Sequence, residues 1–411
     1  MDREGIHENR MKPHNVLVIT YWSWADALVQ TYTLPYLRIM ERTLPPGSRI
    51  HLVTLEKDGS PAPDAGSGGP IVHHRFRYRP LGPRALGMIL ALVWQLRSVV
   101  RRNDIRTIHA WCTPAGMIGY LVSILTARPL VIDSYEPHAE AMVENGTWRR
   151  DALGSKVLFF FERLQTRRAS VLIAAAEGMR EYARHKYGLG DTLFFVKPAC
   201  VDLERFSAKE IKRPELLKEL GLDGKLVVVY AGKFGGIYLD QEVFDLLRVA
   251  REKWGERLHV LLLTSHSTAE LAPFMSKAGL DPSMFTVRFV PHRDIPRYVG
   301  LGDIALTPVR PVPTKRYCTP IKDGEYWALG LPVMITPSIS DDSELIAKHG
   351  IGSILWGLDD EHYRKAVEEM DLLLRSHTRE QLYARIRPIA EKYRNFGIAE
   401  HVYRSVYGEG K

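Results

Sequence analysis

Apolar residues in the first half of the chain gather into short runs: Asn15 to Thr20 (NVLVIT), Ile50 to Leu55 (IHLVTL), Thr107 to Trp111 (TIHAW), Pro129 to Asp133 (PLVID) and Val171 to Ala175 (VLIAA). Each run is too continuously apolar for a sheet with one wet face. Amphipathic helical stretches separate them, so the pattern predicts parallel strands covered on both sides. A charged stretch of weak periodicity follows, Phe206 to Lys225. The pattern then restarts with Leu226 to Tyr230 (LVVVY), His259 to Thr264 (HVLLLT), Phe285 to Val290 (FTVRFV), Asp303 to Thr307 (DIALT) and Pro332 to Ile335. The predicted fold class is α/β, with two doubly wound, Rossmann-like domains and a boundary near residues 205 to 225. A chain of 411 residues is long enough for two domains of roughly 150 to 200 residues, each with a full core.

Sheets of this kind hold ligands beyond the carboxyl ends of their strands, so the loops there are where chemistry is expected. LVVVY runs into Ala231 to Ile237 (AGKFGGI), and a helix opens near Asp240 with Val243, Leu246, Leu247, Ala250 and Trp254 on one face. Gly232, Gly235 and Gly236 let the backbone approach a ligand, and Lys233 brings charge. The spacing matches neither the dinucleotide fingerprint nor a P-loop. A second strand-to-helix turn reads CTPIKDGEYWALGLPVM, Cys318 to Met334. Thr319 is the expected N-cap, Pro320 the first helical residue and Gly330 the stop, with Pro332 just beyond. Lys322 then lies near the positive end of the helix dipole, where a cation is misplaced. Two readings stand: Lys322 pairs with Glu325 one turn on, or it waits for an anion beside free backbone N–H groups. In the first half, PLVID ends in the polar cluster Ser134 to Glu140 (SYEPHAE), which suits a cleft wall or plain loop capping.

Charge sharpens this picture. Residues 1–205 hold 27 of the 56 Lys and Arg but 20 of the 48 Asp and Glu, so nearly all of the net charge of +8 belongs to the first half. An anionic surface or substrate is expected there. Leu86 to Leu96 (LGMILALVWQL) is too short to span a bilayer, yet it lies between Arg75, Arg77, Arg79 and Arg84 on one side and Arg97, Arg101 and Arg102 on the other. It reads as a peripheral contact with an anionic membrane or as a core helix with solvated flanks. Cys112, Cys200 and Cys318 are far apart and in no metal spacing, which suggests reduced thiols in a cytoplasmic protein. The polar N-terminus gives no sign of a secretory signal; its first dozen residues are expected to be disordered, with Met11 offering a second start. The acidic pairs Asp341-Asp342 and Asp359-Asp360 read as loop or helix-start residues, so no metal site is expected.

The Gly-Lys turn, the segment FVPHRDIPRYVGLGDIALTP (Phe289 to Pro308) and the block TPIKDGEYWALGLPVMITP (Thr319 to Pro337) together resemble the retaining, GT-B-fold glycosyltransferases of family 4. PACVDLERF (Pro198 to Phe206) and AAAEGMREYARHKYG (Ala174 to Gly188) are similar to two further family segments. The resemblance is strongest from Val227 to Gly352 and looser before Asp133. It implies two domains facing across a cleft: residues 1–205 bind the acceptor, 206–390 bind the donor, and 391–411 form a helix crossing back to the first domain. It also implies site residues. Lys233 and Lys322 would hold the diphosphate of a UDP- or GDP-linked sugar with help from the Gly232 N–H, Glu325 would bind the ribose, and Val290 to His292 would lie against the base. Glu136 and His138 would face the donor sugar and the acceptor hydroxyl, and Lys322 would stabilise the leaving diphosphate. The implied partners are a nucleotide-sugar and a glycan or lipid-linked acceptor, with an anionic membrane surface on the inner face of the cell membrane and no nucleic acid. No cofactor beyond the nucleotide-sugar is implied. Two departures stand out. Tyr317 occupies the position eight before Glu325 where the family often carries a second glutamate, and Tyr21 to Asp26 (YWSWAD) replaces paired glycines. In that loop Trp22 and Trp24 either stack on a sugar or pack in the interior. A non-catalytic GT-B protein that binds membrane or polysaccharide, and a nucleotide-sugar epimerase, are the alternatives.

Overall fold

A computed structural model describes residues 12–26, 28–57, 69–78 and 83–408. The expectation for the N-terminus up to Met11, and those resting on Arg79 and the Arg84 side chain, lie outside what is described. Seven strands form the first sheet: β1 (Asn15–Ile19), β2 (Ile50–Glu56), β3 (Ile71–Arg77), β4 (Ile105–Trp111), β5 (Leu130–Tyr135), β6 (Val171–Ala174) and β7 (Leu193–Val196), in the order β3-β2-β1-β4-β5-β6-β7. Six form the second: β8 (Leu226–Ala231), β9 (Leu258–Leu263), β10 (Phe285–Arg288), β11 (Ile304–Thr307), β12 (Val333–Ile335) and β13 (Gly352–Ile354), in the order β10-β9-β8-β11-β12-β13. Neighbouring strands in both sheets pair parallel. The fold is therefore two Rossmann-like domains, as the apolar runs predict. β3, β7 and β13 are additions to that prediction. β3 (IVHHRFR) is an edge strand, polar and only half-buried, and so leaves little apolar signal.

Side chains in a strand alternate between the two faces, and each sheet accordingly serves two cores. Val16 and Val18 join the core shared with the helices Leu34–Thr43 and Phe396–Tyr407; Leu17 and Ile19 join the core under Pro83–Arg102, Thr113–Thr126 and Gly178–Tyr187. In the second sheet Val227 and Val229 point one way and Val228 and Tyr230 the other. The segment Leu86 to Leu96 lies within Pro83–Arg102, where Ile89, Leu92, Val93, Leu96 and Val100 are buried against the first sheet. Most of its apolar signal thus belongs to a core helix. Leu90 and Trp94 remain exposed, with the Arg97 guanidinium 5.1 Å over the Trp94 ring.

The two domains are joined by two crossings that run side by side, with the Val201 N–H donating to the Arg394 carbonyl at 2.7 Å. Helix Arg379–Tyr393 still packs on the second domain through Leu382, Ile386, Ile389 and Ala390. Helix Phe396–Tyr407 packs on the first, where Ala399, Val402, Tyr403 and Tyr407 enter its core. The Tyr403 hydroxyl donates to Asp133 Oδ2 at 2.7 Å, and Asp133 Oδ1 lies 3.1 Å from the Lys197 ammonium; both charged side chains are fully buried. Among the described residues no helix is long and apolar enough to cross a membrane. The three cysteines are free.

Candidate donor and reaction site

In the second sheet the winding direction reverses between β8 and β11, which are neighbours, so the loops leaving these two strands open a crevice at the carboxyl edge. The loop after β8 carries Gly232 to Asp240; the segment after β11 leads into the helix Ile321–Ala328. That helix is anchored by Tyr326 and Trp327, both fully buried, and the Tyr326 hydroxyl accepts the Ala231 N–H at 3.0 Å, tying it to the end of β8. Its stop is the expected one: Gly330 takes a φ of 66°, its N–H donates to the Trp327 carbonyl, and the Leu331 N–H donates to that of Tyr326. Its start differs. Pro320 is the N-cap, and the Thr319 hydroxyl donates instead to the Ala175 carbonyl of the first domain, at 2.9 Å. The first-turn N–H groups therefore receive no side-chain cap, and Lys322 sits one position nearer the helix end than expected.

Lys322 is 6% exposed, yet its Nζ has no hydrogen-bond partner. It lies 4.0 Å from the ring centre of Tyr238 and 4.6 Å from that of Tyr230. Burial works against its charge, but Tyr230, Tyr238 and Asp323 outweigh that and hold its pKa above the ordinary value. A methyl group on Gly232 would stand 2.8 Å from this ammonium and 2.8 Å from the Tyr230 hydroxyl, so the glycine is what leaves the space beside the charge open. The pairing of Lys322 with Glu325 is not formed; Glu325 Oε1 is 3.6 Å from His292 Nε2.

Other donor-side expectations fare differently. The Gly232 N–H is already committed to the Leu263 carbonyl at 3.0 Å, which extends the β8–β9 ladder, so it is not free to meet a phosphate. Lys233 is exposed, and its carbonyl accepts the Tyr230 hydroxyl at 2.5 Å. Gly235 and Gly236 take positive φ of 78° and 64°, which bends the loop back toward the helix capped by Asp240. Val290 is buried in the core and His292 is half-buried on the loop after β10. The chain thus brings Lys322, Gly232, Glu325 and His292 together, with Lys233 at the rim.

Across the cleft, the backbone within the last residues of β5 is strained, with Ser134 at a φ of 49° and its N–H held by Asp133 Oδ1 at 2.6 Å. This turn delivers Glu136 and His138, whose Oε1 and Nδ1 lie 3.3 Å apart. Burial works to raise the Glu136 pKa, but His138, Cys318 and Lys315 hold it below the ordinary value; burial works to lower that of His138, and Glu136 raises it. The pair therefore favours carboxylate and imidazolium. Beneath it lies Glu162, which no motif pointed to. Its Oε1 accepts the Ala139 N–H at 2.9 Å and its Oε2 the Tyr187 hydroxyl at 2.8 Å, and burial pushes its pKa up to about 7 against both bonds. The one signal in the sequence was an acid set in the apolar run FFFERL, residues 159–164.

The second domain closes on this cluster through one segment. Thr314 donates its N–H at 2.9 Å, and also its hydroxyl, to Glu144 Oε2; the Cys318 thiol donates to Glu136 Oε2 at 2.8 Å; and Tyr317 packs against Tyr182, ring centres 5.0 Å apart. Tyr317, standing where a second glutamate was looked for, is thus a domain contact. In the N-terminal loop Trp22 and Trp24 are half-buried and pack at the margin of the first core; the Trp24 backbone N–H donates to Glu56 Oε1 at 3.0 Å and its ring lies 4.7 Å from that of His73. Asp341 and Asp359 stand at helix starts, as expected, and among the described residues no group of three or more His, Cys, Asp or Glu is placed to hold a metal ion.

Comparison with known proteins agrees with this architecture. The model of a glycosyl transferase 4-like domain matches residues 29–198, which is the half where the sequence resemblance was looser. Alpha-D-kanosaminyltransferase of Streptomyces kanamyceticus is 23% identical over 230 residues, 54% of this chain; the match spans 58% of that relative's length. Among solved structures, sucrose-phosphate synthase from Thermosynechococcus elongatus superposes with a TM-score of 0.72 at 14% identity, covering 96% of this chain and 99% of that one. HepE of Anabaena, in complex with UDP, does so at 0.70 and 15%, with the same coverage. Residues 29–198 thus match a glycosyl transferase 4-like domain, and the chain has the two-domain GT-B architecture throughout its described length.

Proposed function

We propose that the protein transfers a sugar, with retention of anomeric configuration and without a metal ion, from a nucleotide-diphosphate sugar to a glycan or lipid-linked acceptor. One observation carries the reading: an ammonium buried at 6% exposure without a hydrogen-bond partner, beside a glycine that keeps its surroundings open. A buried cation left unmatched is costly, and an anionic ligand supplies the missing partner. The leaving diphosphate gains charge as the glycosidic bond breaks, so Lys322 contributes most in the transition state. Lys233 meets the same diphosphate from the rim. Glu325, with His292 beside it, accepts hydrogen bonds from the ribose hydroxyls, and the loop at Val290 to His292 borders the base. His138, held as imidazolium by Glu136, donates toward the sugar hydroxyls, and the departing phosphate oxygen takes the acceptor proton on the same face. The UDP complexes of HepE make UDP the first donor nucleotide to test and GDP the second. The basic first domain, with Leu90 and Trp94 exposed, suits a cytoplasmic protein attached peripherally to the inner face of the cell membrane.

Calorimetric titration of UDP and GDP into the wild type and Lys322→Ala tests this reading. A charge-assisted contact to a desolvated phosphate predicts a loss of roughly 10- to 150-fold on truncation. Undiminished affinity in Lys322→Ala would falsify the anion site. The commitment of Tyr317 to the domain contact favours, as a second reading, a binding protein that does not turn over; nucleoside diphosphate binding without release of sugar to any glycan or lipid acceptor would select it.

A further inference from the structure

The first domain holds a cavity of about 420 Å³ between the helix His138–Glu144, the start of Leu153–Arg168 and the end of Gly178–Tyr187. Its wall includes Glu140, Glu144, Arg150, Lys156, Phe159 and Lys186. Both acids are already engaged. Glu140 accepts the Tyr182 hydroxyl at 2.5 Å and lies 3.6 Å from the Lys186 ammonium, and Glu144 is held by Thr314 across the cleft. Arg150 and Lys156 are left as exposed cations without a partner among the described residues. The helix that begins here has Ala152 at its N-cap, no side-chain cap and no acidic residue in its first turn. Arg150, Lys156 and the positive end of a 16-residue helix therefore border one cavity, whose three cations outnumber its two carboxylates.

The same helix carries a second feature that leads away from the cavity. Leu153, Val157 and Phe160 are 76%, 41% and 56% exposed, and their spacing of four and three places them on one stripe, with Lys156 and Arg163 alongside. An apolar stripe with basic flanks, on a charge-lined cavity, is complementary to a molecule with an anionic head and a hydrocarbon tail. We propose that the cavity binds the phosphate of a membrane-borne alkyl phosphate or diphosphate, with its chain along Leu153, Val157 and Phe160. The proposal rests on the transfer reading in one respect, that this amphiphile is the acceptor; Ala139 of the cavity wall follows His138 directly. An acceptor so held presents its sugar end to the Glu136–His138 pair while its tail stays in the bilayer.

Calorimetry with dodecyl phosphate below its micellar concentration, with inorganic phosphate, and with UDP in parallel tests this on the full chain. Dodecyl phosphate is expected to bind at least about tenfold more tightly than inorganic phosphate, since burying even a few methylenes suffices for that ratio. Arg150→Ala and Lys156→Ala, both on the surface, are expected to weaken it by about tenfold each, and Phe160→Ser to weaken dodecyl phosphate while sparing inorganic phosphate. Equal affinity for the two phosphates, or dodecyl phosphate binding indifferent to Arg150 and Lys156, overturns the proposal. UDP affinity is expected to be unchanged in all three variants. Failure of UDP to bind the wild type while dodecyl phosphate binds would remove the donor reading and leave the cavity assignment standing.

Discussion

At Lys322 a charge is held in place by shape, between two phenol rings and a residue with no side chain, and Gly232→Ala is the smallest change that probes the arrangement. The added methyl must displace the ammonium or the Tyr230 hydroxyl, each 2.8 Å away. Gly232 also takes a φ of 159°, which an alanine adopts only under strain, so melting temperature is expected to fall together with an about tenfold loss of UDP affinity; a drop in stability with normal affinity would reverse the assignment. Glu162 offers a second test. Its pKa in the fold, about 7, lies above its ordinary 4.5. A raised acid contributes stability that is fully present below pH 4.5 and is lost as pH rises through 7. The melting temperature of the wild type is therefore expected to fall more steeply than that of Glu162→Gln over this window. Parallel curves would remove Glu162 from the groups that titrate.

The elements that matter most for the site are short and owe their position to burial at one end. Ile321–Ala328 has eight residues, too few to persist alone, and Tyr326 and Trp327 hold it in the core. The final helix is held by a polar contact as well as by packing. The Tyr403 hydroxyl and, at 3.4 Å, His109 Nε2 face Asp133 Oδ2, while Lys197 faces the other oxygen of that buried carboxylate. Tyr403→Phe keeps the shape and removes the donor, so denaturant unfolding is expected to show a loss of about 1.5 to 3 kcal/mol. Lys197 leads the forces that hold the Asp133 carboxyl down to about 2 against its burial. The stability this provides is present above pH 3.8 and is lost as pH falls through 2. A melting profile in Tyr403→Phe identical to the wild type would show that packing alone retains the helix.

For the molecule as a whole, the contacts from Thr314 to Thr319 set the approach of the two domains, and they do so on top of Glu136. A change in domain separation is therefore a change in the chemistry of the cleft. Thr314→Val combined with Tyr317→Ala removes the hydroxyl's hydrogen bond to Glu144 and the ring contact with Tyr182. The radius of gyration by small-angle scattering is expected to rise in this variant, and the affinity for UDP, which the proposed site would bind through second-domain residues, to stay near the wild-type value. A scattering curve that does not move would mean that the paired crossings at Val201 and Arg394 hold the closed arrangement unaided.

The two-domain α/β fold, the Gly-rich turn after β8 and the stop of the lysine-bearing helix at Gly330 were all legible in the sequence. Each depends on residues within a turn or a strand of one another: the apolar period, a residue free to take positive φ, a proline just beyond. The short or polar strands β3, β7 and β13 lie in or near the margins of the sheets and carry too little of that signal. The partners of the site residues were not legible at all. Whether Lys322 would turn to Glu325 or stand open beside Gly232, whether the Gly232 N–H would be free, and whether Tyr317 would face a sugar or the other domain were decided by groups tens to nearly two hundred positions away; Cys318 and Glu136 are separated by 182. Local pattern determines which elements form because their hydrogen bonds close nearby in the chain. Which of several partners a long polar side chain takes depends on the burial and the charges that only the packed sheets bring to it.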